Sequence, residues 1–250
     1  MKRFPLVIAG LIAAMALAPG AAAAKMVELG QTSTPIASPV CPKGVSPSNC
    51  FIILTRTTAI QSSSDGIGAP TRVSQDGWIV SFTVGLSKLS TVSATEKKYL
   101  HLLDQAYNGT PQLALTVLKP GPKNRYTVAA QSATYHLIPF LGQVLQQPLS
   151  PPPNFTQFTA LPVKKGEIIA LSVPTWAPVL SYNLSTSKFA YRQSRTANCK
   201  HAAGSQTAQM SVGASTRYLC SYTGTRVEYS ATEITNTPYP KSYVHIRRRP

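Results

Sequence analysis

Apolar and polar residues alternate with a period of two along most of the chain. Leu113, Leu115 and Val117 alternate with Ala114 and Thr116; Tyr126, Val128 and Ala130 repeat the rhythm, and so do Ile169, Leu171 and Val173. Successive side chains of a strand point to opposite faces, so each run predicts a strand with one buried and one wetter face. Residues 51–60 are apolar and β-branched, and 179–184 read as a further strand. In 78–84, Trp78, Val80, Phe82 and Val84 alternate with Ile79, Ser81 and Thr83, which puts the first four on one apolar face. Residues 218–222 and 226–234 flank Thr223-Gly224-Thr225 and predict a paired hairpin.

One segment changes period. Ser93-Ala94-Thr95-Glu96 has the spacing of a capping box, and Tyr99, Leu102, Leu103, Ala106 and Tyr107 then follow helical spacing up to Asn108-Gly109. A single short helix is expected there, crossing one end of the sheets. Residues 25–50, rich in Thr, Ser, Pro and Gly, predict an irregular arm; 51–234 form the main domain; 235–250 form a basic tail. Many short strands with 15 Gly and 21 Pro at their turns define an all-β fold, a two-sheet β-sandwich of jelly-roll-like form.

The first 24 residues read as an address. Lys2 and Arg3 precede an uncharged apolar run at 6–18, which Pro19-Gly20 breaks before the small residues Ala22, Ala23 and Ala24. That order matches a secretory signal peptide cut near Ala24, and the run is shorter than the ~20 residues a membrane span needs. The Ala-rich form is bacterial in character. A secreted or cell-envelope-associated protein without a transmembrane anchor is expected. Export in turn makes the even cysteine count a disulfide count. Cys41, Cys50, Cys199 and Cys220 allow three connectivities, of which Cys41–Cys50 and Cys199–Cys220 close the shortest loops.

Several stretches occur in a suggestive order. They are Gly66-Ile67-Gly68-Ala69-Pro70, Asp76-Gly77-Trp78-Ile79-Val80-Ser81-Phe82, Gly109-Thr110-Pro111-Gln112-Leu113-Ala114, Leu161-Pro162-Val163-Lys164-Lys165-Gly166-Glu167-Ile168-Ile169-Ala170-Leu171 and Val173-Pro174-Thr175-Trp176-Ala177-Pro178. With the Cys199 and Cys220 region, they resemble uncharacterised secreted proteins of high-GC actinobacteria. The resemblance covers most of 51–234. It implies a secreted β-sandwich and carries no known reaction, so no catalytic residue follows from it.

Charge narrows the partner class. The chain holds 24 Lys and Arg against 8 Asp and Glu, a net +16, and residues 188–250 hold 10 basic and 2 acidic residues, or 10 − 2 = +8. A cationic exterior raises the local concentration of polyanions. For an exported chain without a nucleic-acid recognition motif, carbohydrate or an anionic cell-envelope polymer is the natural partner, and nucleic acid is not expected.

Motifs for chemistry are missing. There is no G-x-S-x-G elbow, no H-E-x-x-H, no P-loop and no C-x-x-C or H-x-x-x-H ligand spacing, so no catalytic residue, metal site or cofactor is expected. Asp65 and Asp76 are the only acids near Gly-rich turns that suggest a glycosidase pair, and Asp before Gly is ordinary turn chemistry. Tyr beside Arg, as at Tyr191-Arg192, suggests a lyase base with its electrostatic partner. Trp176, between Pro174 and Pro178, is the candidate sugar-stacking platform. The ligand-binding candidates are therefore Trp176, Tyr191 and Arg192. The expected function is a non-catalytic binding or structural protein, monomeric, with a polysaccharide-active lyase or glycosidase of jelly-roll type as the alternative.

Overall fold

A computed structural model describes residues 24–41, 52–149, 160–197, 199 and 207–235. The signal-like segment, Cys50 and the basic tail lie outside the described residues.

The chain forms β1 (Lys25–Leu29), β2 (Leu54–Ser64), β3 (Ile67–Gly68), β4 (Gly77–Gly85), helix α1 (Ser93–Tyr107), β5 (Gln112–Gly121), β6 (Arg125–Gln131), β7 (Tyr135–His136) and β8 (Val144–Pro148). It continues through β9 (Leu161–Val163), β10 (Ile168–Ala177), β11 (Leu180–Tyr182), β12 (Ala190–Gln193), β13 (Ser215–Arg217), β14 (Cys220–Thr223), β15 (Thr225–Val227) and β16 (Tyr229–Thr235). The fold is all-β and sandwich-like, with antiparallel pairing throughout. One sheet runs β1-β16-β4-β8, the larger runs β13-β6-β5-β10-β2-β12-β14, and β11-β15 form a separate ribbon. Ile79, Phe82 and Val84 of the first sheet pack into one core with Leu113, Leu115, Ile169, Leu171 and Val173 of the second. Burying each such side chain contributes roughly 1.5–3 kcal/mol.

Four expectations need correction. Between Thr232 and Glu233 of β16 the register to β4 slips by one residue: Thr232 pairs with Ser81 and Glu233 with Ile79. Val80 is the extra residue of a β-bulge, which reverses the alternation of β4. Ile79 therefore enters the core with Phe82 and Val84, while Trp78 and Val80 are only half-buried.

The predicted hairpin around Gly224 does not form. Gly224 adopts φ +68°, a left-handed value that suits glycine, and the chain turns a corner instead of doubling back. Thus β14 joins β12, β15 joins β11, and β16 crosses to the other sheet beside β4.

Nor is the N-terminal arm irregular throughout. Its first residues are β1, paired with β16 from Lys25↔Thr235 to Leu29↔Ala231. Beyond it, residues 31–40 are strapped to the domain. Asp65 accepts hydrogen bonds from Thr32 Oγ1 (2.5 Å), Thr34 N–H (2.7 Å) and Thr34 Oγ1 (2.7 Å). The buried Arg226 donates to the carbonyls of Thr34 and Pro35 and stands 3.6 Å from Glu228. The Ser38 hydroxyl donates to the Leu86 carbonyl. A Cβ at Gly85 would lie 1.8 Å from the Ala37 carbonyl oxygen, so only glycine lets the strap lie this close.

Finally, β5 and β10 are buried on both faces, not one. On either side of β13, Ala214 and Tyr218 pack with Ile60, Leu118, Ile168 and Ala170 on the outer face of the large sheet, and Gln209 ties the preceding segment down. Its backbone N–H donates to Thr58 Oγ1, its carbonyl accepts from Ser172 Oγ and Gln131 Nε2, its amide donates to the Tyr126 and Ala214 carbonyls, and Tyr218 Oη donates to its Oε1 at 2.5 Å. These bonds satisfy the polar groups that burial of the second face would otherwise strand.

Candidate functional site

The helix forms where its periodicity placed it and ends at Asn108 in the left-handed conformation. The capping box does not form. Val92 is the N-cap, so Ser93 already lies inside the first turn, and the Glu96 N–H bonds to the Val92 carbonyl. No residue of the helix is fully buried. Its anchor is Asp104, whose Oδ1 accepts from Trp176 Nε1 at 3.0 Å.

That bond also settles the fate of Trp176. The indole is wholly buried at the end of β10, under the helix, and has no open face for a sugar. The expectation of a stacking platform there is corrected: the flanking prolines bracket a core tryptophan.

Tyr191 and Arg192 part company. Strand alternation sends them to opposite faces of β12. Arg192 is half-buried and Nη1 donates to the Tyr218 carbonyl at 3.3 Å. Tyr191 faces the other way, together with Gln193 and Arg195, and the three line a cavity of about 310 Å³. The cavity lies between the β12–β14 edge of the large sheet and the β11–β15 ribbon. Leu54, Leu180, Thr55, Tyr182, Tyr222 and Cys199 complete its lining.

Its geometry follows from register. Tyr191 and Tyr222 are direct cross-strand partners, and their rings stack with centroids 5.0 Å apart and 19° between planes. The Cys199–Cys220 disulfide pins the loop beside β14, and Tyr222 Oη donates to the Cys199 carbonyl at 2.7 Å. The expected Cys199–Cys220 pairing is thus present. Cys41 is also disulfide-bonded, with a partner outside the described residues.

Arg195 is buried and its main chain is held at both ends: its N–H donates to the Gln193 carbonyl, and its carbonyl accepts from Leu219 N–H. Its positive charge works against the upward push of burial on both tyrosine hydroxyls. Gln193 Nε2 donates to Tyr191 Oη at 2.9 Å, whereas Gln193 Oε1 and Tyr182 Oη are buried without a hydrogen-bond partner. Burial pushes the Tyr191 hydroxyl far above the usual phenol range and the Tyr222 hydroxyl upward as well. Both are neutral hydroxyls at neutral pH. The site therefore combines a cation, unused polar atoms and an aromatic pair in an apolar setting.

Asp65 and Asp76 serve different loops. The first clamps the strap, while the second accepts the Lys165 N–H at 2.8 Å. Among the described residues, no three His, Cys, Asp or Glu side chains come together as a metal site, and no helix is long and apolar enough to cross a membrane. No known protein-family model matches this chain, and no curated protein or solved structure does.

Proposed function

We propose that this is a secreted, non-catalytic binding protein of the bacterial cell envelope, and that its cavity takes one acidic sugar unit of an anionic glycan. The observation that carries this reading is the convergence of Arg195 and the Tyr191–Tyr222 pair on one cavity, which Gln193 and Tyr182, whose Oε1 and Oη have no hydrogen-bond partner, also line. A carboxylate would meet the guanidinium, and ring hydroxyls would meet the two orphaned polar atoms. The volume is at the small end for ligand pockets and suits a single ring. The raised tyrosine hydroxyls support binding over lyase chemistry, because a protonated phenol donates a hydrogen bond but does not abstract a proton. The net charge, +16 for the whole chain and +14 once Lys2 and Arg3 leave with the leader, would draw an anionic polymer toward the site and make binding salt-dependent.

Isothermal titration with oligogalacturonate, and with a neutral galacto-oligosaccharide of equal length, tests the reading. The acidic oligomer should bind and the neutral one should not. Arg195→Gln should weaken binding by roughly 10–100-fold, the value of a hydrogen bond to a charged group. Tyr182→Phe, which removes a hydroxyl the fold does not use, should weaken it several-fold with the melting temperature unchanged. Arg192→Gln should leave it intact. Equal affinity for both oligomers, or equal losses in the Arg192 and Arg195 variants, would overturn it.

A further inference from the structure

Three cations share one face of the outermost strands of the large sheet. β13 is the edge strand, and its register on β6 sets Arg217 directly opposite Arg125. Side-chain contacts fix which way each points. Tyr126 and Tyr218 turn to the outer face, where their ring centroids stand 4.7 Å apart. Their neighbours along the strands turn the other way: Thr127 Oγ1 donates to Ser215 Oγ at 2.9 Å, and Arg125 and Arg217 form the adjoining pair on that face. Lys119 of β5 lies opposite Thr127 and is the diagonal neighbour of Arg125, while Gly121, opposite Arg125, has no side chain to cover it.

Like charges directly opposite one another across two strands destabilise a sheet. Nothing on the chain relieves them here. The single ion pair among the described residues is Arg226–Glu228, so none of the three cations has a carboxylate partner there. Glu167, just ahead of β10, spends Oε2 on the Lys164 N–H. Lys119, Arg125 and Ser215 are exposed, so the face is open to solvent. Arg217 is half-buried, and its Nε is buried without a hydrogen-bond partner. Ser215 accepts the Thr127 hydroxyl, which leaves its own proton for an acceptor from outside.

We propose that Arg125 and Arg217, with Lys119 beside them, bind a phosphate group, free or carried as an ester on a larger molecule. Each guanidinium offers a planar fork of donors that meets two oxygens at once. Two forks on one face suit a tetrahedral oxyanion, which has oxygens enough for both, better than a planar carboxylate, which one fork satisfies. The anion removes the repulsion between the opposed arginines, and Lys119 adds a point charge. This site shares no residue with the Arg195 cavity and does not rest on the sugar reading, so either can fail without the other.

The test is calorimetric titration of the purified protein with inorganic phosphate at low ionic strength, with acetate as the planar control. Phosphate should bind with Kd on the order of 10⁻³ M, and acetate at least tenfold more weakly. Arg125→Gln and Arg217→Gln should each weaken phosphate binding by about tenfold or more. Arg125→Glu should abolish it and leave the melting temperature unchanged or raised, because opposite charges then face each other across the strands. Lys97→Gln, which removes an exposed cation of the helix, and Arg195→Gln should leave it intact. A polyphosphate chain separates the two sources: binding tighter than its number of units supplies assigns the site to a polymer, and binding no tighter assigns it to a free or terminal phosphate. No phosphate binding well above that Kd, acetate binding as tightly, or a loss in Lys97→Gln equal to that in Arg125→Gln would overturn the proposal.

Discussion

Asp65 offers a direct measure of what the N-terminal strap contributes. It occupies the corner between β2 and β3 at φ +51°, a left-handed conformation that Asp and Asn tolerate better than other side chains. Its carboxylate collects three hydrogen bonds from residues 32–34, of which the one from the Thr32 hydroxyl does most to hold the carboxyl well below its usual value of 3.8. Asp65→Asn preserves the backbone preference and one acceptor oxygen, but sets an NH₂ group against donors. A charge-assisted hydrogen bond contributes about 1.5–3 kcal/mol when buried; here the group is half-exposed, and solvent screening brings the expected total loss to about 1–2 kcal/mol. Asp65→Ala adds the cost of a left-handed alanine, about 1 kcal/mol more.

Urea unfolding of the wild type and both variants at neutral pH reads these differences. The sign of the pH dependence follows from the lowered carboxyl. The folded state holds the ionised form more tightly than the unfolded state does. Its stabilisation is therefore complete above the ordinary aspartate value and is lost as pH falls below it toward the folded-state value. The gap between wild type and Asp65→Asn should narrow at about pH 2.5, well below 3.8. Hydrogen exchange should speed up over residues 31–40 first. Equal stabilities at neutral pH, or a gap that does not change on acidification, would refute the reasoning.

Two further substitutions probe how the outer layers are attached. Asp104→Asn weakens the bond from Trp176 Nε1 that anchors a helix with no fully buried residue; hydrogen exchange across 93–107 should accelerate by about tenfold, the equivalent of ~1.4 kcal/mol, while β5 and β10 remain protected. Gln209→Ala removes the side-chain partner of Tyr218 Oη and of the Tyr126 and Ala214 carbonyls, and urea unfolding should show a loss of about 2–4 kcal/mol, since buried polar groups left unpaired cost ~1–3 kcal/mol each and relax in part.

Local order was legible in this chain wherever one strand's own periodicity decides the outcome. The alternations at 113–117, 126–130 and 169–173 became β5, β6 and β10, and the change to helical spacing marked α1 at 93–107. What a single strand's pattern cannot carry is its partner. The β4 bulge exists because β16 slips by one residue between Thr232 and Glu233, and nothing within 78–84 alone announces it. The Gly224 corner and a hairpin have the same turn chemistry; only the pairing of β14 with β12 and β15 with β11 distinguishes them. The candidate site divides along the same line. Adjacent residues on a strand face apart, so Tyr191 and Arg192 never could share a pocket, and the period-two reading that located the strands also selects Gln193 and Arg195 as companions of Tyr191. Tyr222 was hidden because it enters through cross-strand register. Trp176 escapes the pattern for a related reason: its flanking prolines suggest a loop, but the group that accepts its indole N–H, Asp104, lies 72 residues earlier on the helix. Glu233 is the sharpest case. In sequence it is one of eight acids in a basic chain, with no neighbouring motif. Its inward direction is set by the alternation of Tyr229 and Ala231, and a Cβ at Gly77 on the adjacent strand would stand only 3.0 Å from its Oε1. Periodicity alone places a carboxylate on a core face at that point, and a charge on a core face is the departure from pattern most in need of a chemical reason.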